Sequence, residues 1–235
     1  MDRPSHSARS RLAAGLPPMT AEKIVDTALE LTRGQGLDGW SIRQLSGALE
    51  VWPGVIYHHV GDRETVVDAI TDRVIALIPV PDADLPWREW FTRLLREGRA
   101  VLREFRGVAR RVVLIGPTVP AALPTIDRGI QVLQRAGFGG DATLVYRFLL
   151  NTAFMMVAAE DDRAERPEAR GKMAQVLSDF QDTPQPGLAA ASVDALARAR
   201  DPRPPAELDV EFFEFTVARA LDGVATWLES SSAPR

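Results

Sequence analysis

An all-α protein is predicted, with a small N-terminal helical domain followed by a larger helical body. Three observations carry that prediction. Apolar residues recur at spacings of three and four from Thr20 onward, alternation of period two is nowhere sustained, and glycines and prolines supply the breaks. No internal repeat is present.

The elements follow in order. Residues 1–18 hold Pro4, Pro17, Pro18 and three serines without apolar periodicity, and Arg3, Arg9 and Arg11 make the arm basic. It is expected to be disordered or to reach a DNA backbone or minor groove. Thr20 is placed as the N-cap of a first helix bearing Ile24, Ala28 and Leu31, with Val25 and Leu29 widening the stripe, which Gly34 and Gly36 stop. Ser41-Ile-Arg-Gln44 is a capping box opening a short helix with Ile42, Leu45 and Leu49 on one face. Pro53 starts another, to about His59, with Ile56 and Val60 turned inward. After Gly61-Asp62 a longer helix carries Val67, Ile70, Val74 and Leu77. Three short helices and a fourth connector within about 60 residues make a helix-turn-helix domain at 19–79. Pro79, Pro81 and Pro86 mark its boundary. Helices are then expected near 86–105, 107–115, 121–136, 141–160, 166–181, 187–199 and 206–229, within a second domain at 80–235.

Composition narrows the chemistry. The 235 residues are 46% hydrophobic and include no cysteine, which removes disulfides, thiolate nucleophiles and Cys-based metal sites. The longest uninterrupted apolar run, Ala153 to Ala159, is far short of the roughly 20 residues of a membrane span, and no secretory leader opens the chain. A cytoplasmic protein without membrane partners is expected. Net charge is −4, split evenly between residues 1–79 and 80–235, so contact with nucleic acid must come from a few placed side chains. Arginine outnumbers lysine 26 to 2, which reads as genome composition.

The segment Val51-Trp-Pro-Gly-Val-Ile-Tyr-His-His-Val60, followed by Asp62-Arg63-Glu64 and preceded by Trp40-Ser-Ile-Arg-Gln-Leu45, resembles the DNA-binding signature of the tetracycline-repressor (TetR) family. Gln134-Arg-Ala-Gly-Phe138, the acidic run 160–162 and Phe212 to Leu228 are similar to that family's ligand-binding half. The resemblance implies that Ser41, Arg43, Pro53, Gly54, Val55, Tyr57, His58, His59 and Arg63 carry DNA contact. Physics agrees: Gly54 lets backbone approach the duplex, Val55 suits a thymine methyl, and Arg43 suits a guanine or a phosphate. Trp52 stands where the family often has a capping Ser, and either packs on sugar and phosphate or shields the motif's core. Glu50 replaces a frequent Gly, and Arg63 a usual Lys. A metal site at His58-His59 fails because adjacent helical residues diverge by about 100°.

In the second half, Trp87, Trp90, Phe91 and Leu94 read as core or as lining for an apolar ligand, and Leu114 belongs to the same candidate wall. Val145, Phe148, Thr152, Met155 and Ala159 form a stripe beside Asn151 and Met156, fitting a pocket or a subunit interface. Phe212, Phe213, Val217, Leu221, Val224 and Trp227 cover more than one helical face, which suits a partner helix. With Val145 they are the candidate dimer contacts, and the resemblance implies a four-helix bundle across a two-fold axis. The family namesake's use of histidine for drug-bound magnesium has no counterpart, since His6, His58 and His59 all lie in the first quarter. No metal or cofactor is expected, and the effector is expected to be a small apolar or aromatic molecule anchored by Arg110, Arg147, Asn151 or Thr152.

These features predict a homodimeric, ligand-responsive repressor of a near-palindromic DNA operator. A ligand-independent DNA-binding regulator is the alternative. A helical enzyme is disfavoured, because the second half lacks histidine, cysteine and a phosphate loop; Glu160 and Asp161 read as a solvated helix end.

Overall fold

Helix α1 (Ala21–Gln35) begins where the Thr20 hydroxyl accepts the Lys23 N–H at 3.2 Å, and it ends at Gly36, whose φ of 83° lets its N–H reach back to the Thr32 carbonyl. This computed structural model describes residues 18–116 and 118–232; the basic arm expected at 1–18 lies, but for Pro18, outside the described residues. Gly34 falls inside α1, so Gly36 alone is the stop. The buried Thr32 hydroxyl donates to the Ala28 carbonyl and accepts the Trp40 indole N–H at 2.9 Å, which fixes the next loop against α1.

Helix α2 (Ile42–Ala48) starts with both arms of the Ser41–Gln44 capping box formed. The turn to α3 (Pro53–His59) passes through Glu50 at φ 53°, the one described non-glycine residue at positive φ. Trp52 precedes α3 without a side-chain cap, as its indole cannot accept a backbone N–H. Helix α4 (Arg63–Ala76) is capped by Asp62, whose carboxylate accepts the Thr65 N–H at 2.9 Å.

Beyond the prolines come α5 (Trp87–Glu104), α6 (Val108–Ile115), a 3-10 turn at Pro120–Ala122, α7 (Leu123–Leu133), a kink through Gly137 and a second 3-10 turn at Gly139–Asp141, α8 (Ala142–Ala164), α9 (Glu168–Ser178), α10 (Pro186–Arg200) and α11 (Pro205–Ser232). No strand occurs among the described residues. Helix α8 is the axle: α5, α6, α7 and α11 all pack on it, while α9 and α10 pack mainly on each other. The stretch Pro120–Ala164 is apolar and long enough for a membrane by composition, but it bends at Gly137 and Gly139 and packs within this body as a core helix does. Buried apolar side chains from Met19 to Val224 form one continuous cluster, so the small N-terminal bundle shares its core with the larger body.

Where α7 crosses the axle, Gly129 leaves no room for a side chain. A Cβ there would lie 2.6 Å from the Tyr146 ring and 3.1 Å from Trp90.

Candidate functional site

The helix-turn-helix exposes a compact set of side chains. Ser41 at the N-cap of α2, Arg43 and Gln44 on α2, and Gly54, Tyr57, His58 and His59 on α3 all face solvent, and Trp52 at the head of α3 is 82% exposed. The His58 and His59 rings meet edge to face at 5.2 Å. Pro53 and Val55 are half-buried, and Ile56 anchors the helix in the core. Trp52 therefore does not shield the core. The Ser41 hydroxyl is engaged by Gln44, accepting its N–H at 3.3 Å.

Arg63 is corrected. Its Nη2 donates to the Leu37 carbonyl at 2.8 Å and its guanidinium lies over the Trp40 ring, so the fork that distinguishes Arg from Lys ties α4 to the α1–α2 loop.

The main cavity, about 470 Å³, lies between α4, α6, α7 and α8. Its apolar floor includes Ile75 from the last turn of α4 and Ile78 just beyond it, Leu94 from α5, and Val112 to Ile115 from α6. Helix α8 supplies two parallel ridges at helical spacing: Tyr146, Leu150 and Phe154, and beside them Thr143, Arg147 and Asn151. Of the sequence-predicted wall, Leu94, Leu114, Arg147 and Asn151 line this cavity.

The other predicted wall residues are placed elsewhere. Trp90 and Phe91 are fully buried, ring against ring at 4.8 Å, with the Trp90 indole N–H donating to the Pro81 carbonyl; half-buried Trp87 stands edge-on to Phe138. They are the apolar face of an amphipathic helix docked on the axle. Phe148 and Met155 point outward, Thr152 and Met156 are half-buried off the cavity, and Arg110 lies 3.7 Å from Asp162 beside a different cleft.

The expected dimer contacts also divide. Val145, Phe213, Val217, Leu221 and Val224 are buried within this chain, where α11 packs on α8, and so cannot meet a partner; Phe212 and Trp227 are exposed. Leu144, Phe148 and Met155 on α8 and Phe215 on α11, 61% exposed, add apolar surface, of which Phe148 and Met155 belong to the stripe expected to face a pocket or a subunit interface.

The Glu160–Asp161 pair is a further correction. Instead of a solvated helix end, Glu160 is wholly buried, bridged by Arg99 at 2.9 Å and Arg103 at 3.3 Å. Asp161 accepts from Arg103 at 2.7 Å and from the Gly107 N–H at 3.0 Å. Burial pushes both carboxyls above their ordinary range against the pull of those partners. The cluster clamps the end of α5 and the start of α6 onto the axle.

Two linkages join cavity and helix-turn-helix. Arg111 on α6 pairs with Glu64 at 3.0 Å and Asp68 at 2.7 Å, both on α4. Asp72 of α4 accepts the Ala121 N–H at 2.8 Å, just before α7. The sequence signal for these lay in carboxylates at 64, 68 and 72, one per turn, forming a ladder on one face of the connector.

Comparison with known proteins matches residues 79–228 to the family model described as tetracyclin repressor-like, C-terminal domain. The class A tetracycline repressor protein from transposon 1721 of Escherichia coli is 28% identical over 180 residues, 75% of this chain and 80% of that protein. Among solved structures, apo ActR from Streptomyces coelicolor superposes with a TM-score of 0.76 at 21% identity, covering 92% of this chain and 100% of ActR. ActR in complex with actinorhodin gives 0.66 at 24%, covering 88% and 99%. BioQ with its natural double-stranded DNA operator gives 0.57 at 22%, covering 73% and 99%. Likeness at these identities establishes the fold.

Proposed function

The chain belongs to the tetracycline-repressor family, and from that premise we propose that it is a ligand-responsive transcriptional regulator, a repressor released from its operator by a small molecule. One observation carries the mechanism. The cavity that would hold the effector is walled jointly by α4, which continues the helix-turn-helix, and by α6, whose Arg111 holds α4 through Glu64 and Asp68. A molecule filling the cavity wedges α6 away from Ile75 and Ile78. Through the Arg111 pairs and the Asp72–Ala121 bond, that displacement turns α4 and swings α3. The two ligands then oppose each other by the same factor: DNA weakens effector binding as much as effector weakens DNA binding.

Residues 19–79 are the reading head and residues 80–235 the sensing and dimerising body. On the DNA side, Arg43 and Tyr57 contact base edges or phosphates, His58 and His59 contact phosphate, Gly54 permits close approach, and exposed Trp52 packs on sugar or on a thymine methyl. Two copies pair through the exposed apolar faces of α8 and α11, including Leu144, Phe148, Phe215 and Trp227. A two-fold dimer presents two α3 helices to half-sites about one helical turn apart, hence a near-palindromic operator. ActR binds actinorhodin and BioQ binds operator DNA, and both kinds of partner are proposed here. Such a protein works in the cytoplasm, and no catalytic role is proposed for it.

Selection of genomic fragments by the purified protein at near-physiological salt tests the DNA half. A near-palindromic site at a few promoters is expected, and the absence of any enriched sequence would overturn the proposal. Arg111→Gln tests the coupling: it should retain operator and effector binding while lowering the effector's power to release DNA. An unchanged response would remove α6 from the pathway.

A further inference from the structure

Resting on the cavity as the effector site, we propose that the effector is an organic anion, a largely apolar body bearing one acidic group that is received by Arg147. The wall formed by described residues contains no carboxylate, and Arg147 is its charged member. In a chain with 32 acidic against 28 basic residues, most arginines that meet other helices do so through an ion pair, as Arg99, Arg103, Arg111 and Arg163 do. Arg147 pairs with no described residue. Arg147 lies one turn after Thr143 and one turn before Asn151 on one ridge of α8, and the side chains of both are likewise without described hydrogen-bond partners.

The neighbouring ridge supplies a second, independent sign. Tyr146 is only 8% exposed and lines the cavity, yet its hydroxyl makes no hydrogen bond to any described residue. A buried hydroxyl without a partner is uncommon. Burial alone drives the phenol's pKa upward, so it stays protonated and serves as a donor. The cavity thus offers a guanidinium, a phenol and an amide, and no anionic group to receive a cation. A cationic ligand would meet the like charge of Arg147 with no carboxylate in the wall to offset it, and a neutral hydrocarbon would leave both donors unmet. An anion with an aromatic or alicyclic body satisfies both ridges at once: the body on Leu150, Phe154 and Ile126, the oxygens on Arg147 and Tyr146. A cavity of about 470 Å³ has the size for such a molecule.

A matched pair of dyes tests this on the full chain: anilinonaphthalene sulfonate, an aromatic anion, and N-phenylnaphthylamine, the same body without the charge. Fluorescence titration gives both affinities for wild type, Arg147→Gln, Tyr146→Phe and Thr125→Trp, the last filling the cavity. Arg147 is exposed, so its variant folds. Expected are loss of both dyes in Thr125→Trp, a loss of about tenfold in sulfonate affinity in Arg147→Gln with the naphthylamine within about twofold, and about threefold loss of sulfonate in Tyr146→Phe. If both dyes leave in Thr125→Trp but respond alike to Arg147→Gln, the anion class is overturned and the cavity stands. If neither dye binds, or Thr125→Trp displaces neither, the cavity itself is not the effector site and the inference falls with it.

Discussion

Leu37 donates its backbone N–H to the carbonyl of Arg106 at 2.8 Å. One residue on, Gly107 at φ 90° gives its own N–H to buried Asp161. The loop that precedes α2 is thus held to the larger helical body by main chain, beside the Arg63–Leu37 bond that ties it to α4.

Gly107→Ala should damage this joint. The added Cβ would sit 3.1 Å from that of Leu37, in a backbone conformation that costs an L-residue about 1–2 kcal/mol. Urea unfolding should show that loss, and operator affinity should fall with it.

The buried clamp and the surface pairs should respond differently to the same change. Glu160→Gln leaves Arg99 and Arg103 facing a neutral amide and should cost about 3 kcal/mol or more. Glu214→Gln breaks a bidentate but exposed pair with Arg96 and should cost at most about 1 kcal/mol. Paired denaturation curves separate them.

Acid should loosen the cap of α4. The Thr65 N–H and hydroxyl hold the Asp62 carboxyl below its ordinary value. Its contribution is complete above the unfolded value of about 4 and disappears as pH falls through the lowered folded value. The Asp62→Asn variant should therefore show a shallower loss of stability than wild type between about pH 4 and 2, read from urea midpoints.

Glu50→Gly should stabilise the protein by about 1 kcal/mol, because glycine adopts φ 53° without the side-chain penalty. It also removes a negative charge from the motif's turn, so operator affinity should rise, most at low salt. A fall in thermal midpoint would contradict this.

Gly129→Ala should push Tyr146 out of place and destabilise the body by about 1–3 kcal/mol. The cavity ligand should weaken as well. Thermal unfolding and dye titration on the same sample check both.

The helix-turn-helix was the most legible part of the chain, because its instructions are local: the Thr20 and Ser41 caps, Pro53 at a first turn and Gly36 at a stop each act within four residues. The cavity was half legible. Helix α8 is apolar around most of its circumference, with Val145, Leu149, Ala153 and Val157 buried on one side and Leu144, Phe148 and Met155 exposed on another. A period of 3.6 marks such a helix but does not say which stripe faces a void, and the stripe chosen from sequence ran beside the ridge of Tyr146, Leu150 and Phe154. Helix α11 misled for the same reason: Phe213, Val217, Leu221 and Val224 serve this chain's own core, leaving Phe212, Phe215 and Trp227 outside. The charges of Glu160 and Asp161 hid their burial, since their arginines stand some sixty residues away.

Of the described residues up to 79, only Ile75 and Ile78 reach the cavity wall, and none of the exposed side chains of α2 and α3 does. A lineage can therefore rewrite what is sensed without disturbing the address that is read, and the reverse. Exchange of the segment beyond Pro79 between relatives must preserve the apolar core that the two parts share as well as the polar seam at Leu37, Arg111 and Asp72. Descendants of such a scaffold inherit their stimulus and their target as separable traits.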